Sequence, residues 1–140
     1  MNTAVQLATL PRNKEFFIGY DSDGCVFDTM ELKHKTCFGP AAVNRFHLED
    51  VATIAKDVWN FVNLYSQTRG CNRFIGLRHF LDILAAHPEV RAKAVQVPKL
   101  DDLTEWINVE TRRGNDTLQR RCRTTGSEEL RQVLAWSNDV

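Results

Sequence analysis

FFIGY (Phe16–Tyr20) is followed at once by DSDGCVFDT (Asp21–Thr29). The first run is apolar and aromatic, as expected of a short strand buried on both faces. At its carboxyl end stand two carboxylates, Asp21 and Asp23, two residues apart, with Gly24 directly after them. In open α/β sheets ligands bind outside the carboxyl ends of strands, and glycine permits a sharp turn there. Paired carboxylates attract a hard cation such as Mg2+, or divide the work of nucleophile and general acid/base. An EF-hand fails on spacing, because the glycine comes at position four from Asp21 and position twelve is Leu32. The competing reading is a polar turn in which both aspartates only accept backbone hydrogen bonds.

The longer string separates these readings. A strand, then DxDGxxFDT, then a helix resembles the first motif of the haloacid dehalogenase-like (HAD) hydrolases. The likeness covers Phe16 to Thr29. It implies that Asp21 is the nucleophile that takes up a phosphoryl group, and that Asp23 is the general acid/base. It also implies Mg2+ held by the Asp21 carboxylate and the Asp23 backbone carbonyl. Gly24 and Phe27-Asp28-Thr29 match the turn that leads into the cap. The fold implied is an α/β Rossmannoid core with a helical cap, and the substrate a small phosphorylated compound, a phosphomonoester. Residues 1–30 are then leader, first core strand and motif loop, and residues 31–140 a helical cap-like domain. The family's later motifs are a phosphate-binding serine or threonine, a lysine and a second acidic pair. None falls on an expected strand here. The expectation is therefore the front portion of a longer enzyme, with little activity alone. Two rivals remain: a phosphonate-cleaving or phosphomutase member of the family, and a non-catalytic helical interaction module retaining a relic of the motif.

Beyond the motif the pattern is helical. Val51, Ile54, Ala55, Val58, Trp59, Val62 and Tyr65 recur on one helical face. Phe74, Leu77, Phe80, Leu81 and Leu84 repeat the spacing up to Pro88. Asp102 with Glu105, and Thr125 with Glu128, read as N-cap signatures for two further helices. That capping role is also the reading for Asp101-Asp102, ahead of a metal role. Gly39-Pro40, Gly70, Pro98, Gly114 and Gly126 punctuate the series. Only Ala94–Val97 offers a second strand, and it is too short to build a sheet. The chain itself is thus expected to be mostly α-helical with one or two short strands. Its unpaired strand should promote self-association.

Composition narrows the function. The 140 residues are 43% hydrophobic and 26% charged, with 18 basic and 18 acidic side chains. A net charge of zero gives no argument for a nucleic-acid partner, and no apolar run approaches membrane-spanning length. Arg112, Arg113, Arg120, Arg121 and Arg123 read as a charged helix face. Cys25, Cys37, Cys71 and Cys122 form no CxxC pair and the four histidines no HExxH, so zinc is not indicated. The N-terminus makes a poor signal peptide. Reduced thiols in a cytoplasmic protein follow. The polar, basic segment Asn63–Arg73 reads as an interhelical loop or a lid in which Arg69 and Arg73 contact an anionic substrate. Lys33, His34 and Lys35 read as a solvated first helical turn.

Overall fold

The computed structural model describes Thr9, Pro11, Glu15, Phe16 and residues 18–140. Among the described residues, helix begins just past the motif. α1 (Met30–Lys33) runs through a π turn (His34–Phe38) into α2 (Gly39–Arg45) without leaving helical backbone. Gly39-Pro40 therefore does not break the chain as expected. Pro40 has no N–H to give, and its ring crowds the preceding turn. The widened turn, in which the Gly39 N–H reaches back to the His34 carbonyl, accommodates it. A short 3-10 turn (Glu49–Val51) leads to α3 (Ala52–Asn60), which ends in a second π turn (Phe61–Tyr65). α4 (Arg73–Ala86) stops at His87, and Pro88 opens α5 (Pro88–Ala92), where its missing N–H costs nothing. α6 (Asp101–Val109), α7 (Asn115–Thr125) and α8 (Glu128–Asn138) complete the chain.

The apolar stripes bury against one another around three tryptophans. Trp59, Trp106 and Trp136 are each 0–1% exposed. Their rings meet edge to face: Trp59 lies 5.9 Å from Trp136 and 5.2 Å from Phe80, and Phe74 lies 5.2 Å from Trp106. Such pairs add roughly 0.5–1.5 kcal/mol each beyond area burial. Trp136 on α8 also contacts Phe38 of the first π turn, tying the last helix to the one beside the motif.

Several expectations need correction. Among the described residues there is no strand, only an isolated parallel bridge between Asp23 and Phe27. Of the expected strand, Phe17 lies outside the described residues. Phe16, Ile18, Gly19 and Tyr20 are irregular and exposed. Without neighbouring strands their backbone has no ladder to join. Ala94–Val97 is irregular too. Ala94 takes a left-handed φ of 55° to end α5, and Val95 and Val97 lean on the core. Both proposed caps also shift. Leu100 precedes α6 and gives no side-chain cap; instead Glu129 of α8 accepts the Leu103 N–H at 2.8 Å. Ser127, not Thr125, caps α8 by accepting the Leu130 N–H, while Thr125 ends α7 and Gly126 follows it at φ 68°. Asp102 accepts the Ser127 hydroxyl at 2.5 Å, and Asp101 pairs with Lys99.

Candidate active site

The motif closes on itself as a compact loop. The Ser22 carbonyl accepts the N–H groups of Val26 and Phe27, and the Gly24 N–H returns to the Phe27 carbonyl at 2.8 Å. Gly24 sits at φ 72°, and a Cβ there would come within 2.8 Å of Met30 Cγ. Both facts call for glycine at the turn. Asp21 accepts the Ser22 N–H at 2.9 Å and remains exposed. Asp23 is engaged at both oxygens: the Thr29 hydroxyl donates to one at 2.9 Å and the Lys33 ammonium to the other. The Lys33 hydrogen bond, and after it the Thr29 hydrogen bond, hold the Asp23 carboxyl below its ordinary pKa. Asp23 is therefore kept as a carboxylate, the form that accepts a proton.

The two π turns build the wall beside this loop. π bulges often occur at functional sites because the extra residue re-aims side chains. In the first, His34 stacks on Phe38 at 5.1 Å, and burial followed by the charge of Lys33 pushes its pKa down, favouring the neutral ring. In the second, the added residue rotates the stripe. Val62, Asn63 and Leu64 turn inward while Phe61 and Tyr65 face solvent, so Tyr65 does not join the core as its spacing predicts. Asn63 is 4% exposed and donates to the Trp59 carbonyl at 3.0 Å. The segment after it is an ordered loop. Ser66 and Thr68 hydroxyls both donate to the Val62 carbonyl, the Arg69 N–H to Ser66, and the Cys71 N–H to Thr68.

Together these parts enclose an open pocket of about 450 Å³. Asp21, Asp23, Gly24 and Met30 line it from the motif side, His34 and Asn63 from the π turns, and Arg69, Gly70 and Cys71 from the loop. Asp21, Asp23 and Arg69 thus share one cavity. Arg73 does not line it; its guanidinium donates to Asn115 at 3.3 Å and lies over the Phe74 ring. Lys35 pairs with Glu31, which Tyr65 also contacts. Of the arginine run, Arg121 pairs with Glu105 and Arg113 donates to the Ile107 carbonyl.

His34 and Asn63 are the lining residues that sequence reasoning undervalued. The available signal was an amide set between Val62 and Leu64 at the end of an apolar stripe. Among the described residues no group of three His, Cys, Asp or Glu side chains is placed to hold a metal ion. Mg2+ needs no such group: it is commonly bound through one or two carboxylates and completes its shell with water and substrate phosphate. Asp21, together with the Asp23 carbonyl, fits that kind of partial donor set.

No protein-family model matches the chain, and no curated protein or solved structure matches it either. The resemblance to the haloacid dehalogenase-like family rests on the motif's own residues.

Proposed function

We propose that this chain carries the nucleophile loop and helical cap of a HAD-like, Mg2+-dependent phosphomonoester phosphohydrolase, acting in the cytoplasm and completed by an α/β core. The observation that carries the reading is the shared cavity: the motif carboxylates Asp21 and Asp23 open onto a pocket whose other wall supplies Arg69. Asp21 attacks phosphorus and forms an aspartyl-phosphate as the ester oxygen departs. Asp23, its carboxylate having first taken the proton of the bound phosphomonoester monoanion, gives that proton to the departing oxygen. The resulting Asp23 carboxylate then takes a proton from the water that hydrolyses the acyl phosphate. Two easier displacements replace one hard one. The Asp21 carboxylate and the Asp23 carbonyl would hold Mg2+, which would neutralise charge on the transferring phosphoryl group.

The interaction-module reading draws on a different observation. Phe16, Ile18, Tyr20, Val26 and Phe27 are 57–80% exposed, which suits a segment that pairs with another surface. Titration with Mg2+ and beryllofluoride, followed by fluorine NMR, separates the two. The enzyme reading expects a metal-dependent adduct at Asp21 that Asp21→Asn abolishes. Where turnover of a phosphomonoester is measurable, Asp23→Asn should slow it by a factor on the order of 100. An adduct or a turnover rate indifferent to Asp21→Asn would leave the enzyme reading without support.

A further inference from the structure

We infer that Arg69 selects substrates whose leaving group carries a second anionic group, such as the carboxylate of a phosphorylated hydroxy acid. The inference deepens the proposed phosphohydrolase reading and rests on it. It starts from the cations around the pocket. Lys33 is occupied by Asp23, Lys35 by Glu31, and Arg73 is turned to Asn115. His34 lines the cavity, and its burial favours the uncharged ring. Arg69 is the remaining cation in the lining. No hydrogen bond or ion pair within the described residues holds its guanidinium, although Glu31 feels its charge.

Position argues for the leaving group over the transferring phosphoryl. That phosphoryl must touch Asp21, on the motif side. Arg69 comes from the loop that follows the second π turn, and the cavity of about 450 Å³ is larger than a phosphoryl group alone requires. The space left over is bordered by polar groups, Asn63 and Arg69 among them, with Cys71 beside them. An apolar leaving group would desolvate these groups without pairing them, the kind of mismatch by which sites reject wrong substrates. A carboxylate accepts the planar guanidinium fork through two parallel hydrogen bonds, which a single-point ammonium cannot match. The loop's own hydrogen bonds hold Arg69 in place: its N–H is tied to Ser66, and Ser66 and Thr68 are tied to Val62.

The test compares two esters of similar size, phosphoglycolate and ethyl phosphate, titrated into the isotopically labelled chain with Mg2+ present and followed by NMR, which reaches millimolar affinities. The chain should bind phosphoglycolate about tenfold more tightly than ethyl phosphate. Arg69→Met should collapse that ratio to about one, and Arg69→Lys should retain only part of it. A loss of affinity in Arg69→Met that is equal for both esters would overturn the inference, because Arg69 would then be serving the phosphoryl group. Undiminished preference in Arg69→Met overturns it as well. If neither ester binds the unaltered chain, the cavity shared by Asp21 and Arg69 is no ester site and the inference falls with it. Binding of both esters with no preference overturns the selectivity alone.

Discussion

Replacing Gly76 with alanine should destabilise the protein, although the same change in a helix interior ordinarily stabilises it. Gly76 lies within α4 and is buried. A Cβ there would fall 2.4 Å from Asn63 Oδ1 and 3.5 Å from Asn63 Cγ, with Cys71 Sγ at 3.6 Å. The first distance is impossible, so Asn63 must move. Asn63 is 4% exposed and held to the Trp59 carbonyl, so moving it forfeits that hydrogen bond, about 1 kcal/mol. Overpacking the surround costs about 1–3 kcal/mol more. Alanine's better helix propensity returns about 0.5–1 kcal/mol. The net expectation is a loss near 2 kcal/mol, a fall in Tm of roughly 4–8 °C for a domain of this size. Calorimetric melting measures it. The sign should reverse once Asn63 is removed: in an Asn63→Ala background, Gly76→Ala should stabilise by about 0.5–1 kcal/mol. A Gly76→Ala protein as stable as the parent, or the same effect in both backgrounds, would refute the steric argument and with it the close packing of α4 beneath the pocket wall.

At Gly126, φ is 68° and an added Cβ would meet nothing nearer than Arg131 at 4.0 Å. Gly126→Ala should therefore cost only the left-handed backbone term, about 1–2 kcal/mol in urea unfolding. Ala94→Gly, at φ 55°, should shift stability the other way, by up to about 1 kcal/mol. Glu129 has its pKa raised chiefly by burial, and its carboxylate accepts the Leu103 N–H. The folded state thus binds its proton more tightly than the unfolded state. Stability from this group is full below pH 4.5 and declines as pH rises through the higher folded value. Glu129→Gln keeps an acceptor for Leu103 and should flatten that decline in urea midpoints measured from pH 4 to 7; an unchanged slope would count against it. Ile18→Asp and Phe27→Asp should both lower concentration-dependent self-association in sedimentation velocity. These side chains are 71% and 60% exposed, and association that ignores both substitutions would place the contact elsewhere.

The helical body was legible because its periodicity is physical. Phe74, Leu77, Phe80, Leu81 and Leu84 repeat at helical spacing, and each is buried. Pro88 marks a boundary because it lacks an N–H, and Gly126 because it tolerates positive φ. The carboxylate pair, its glycine turn and Arg69 were likewise readable as residues. Among the described residues no helix is long and apolar enough to cross a membrane. Other features follow from contacts that no local pattern encodes. The α6 cap was missed because Glu129, 26 residues from Leu103, captures its N–H, where no local side chain does. Periodicity also assumes 3.6 residues per turn, and each π turn adds one, which buries Asn63 and turns Tyr65 outward. A strand exists only where a neighbouring backbone can accept its hydrogen bonds; Ile18–Tyr20 has an apolar strand's composition and no such neighbour among the described residues. By itself, the sequence determined which faces are apolar and which residues bear charge. Only the tertiary structure decided that Asp21, Asp23, Asn63 and Arg69, up to 48 positions apart, border a single cavity, because helix packing and the widened turns set which side chains converge.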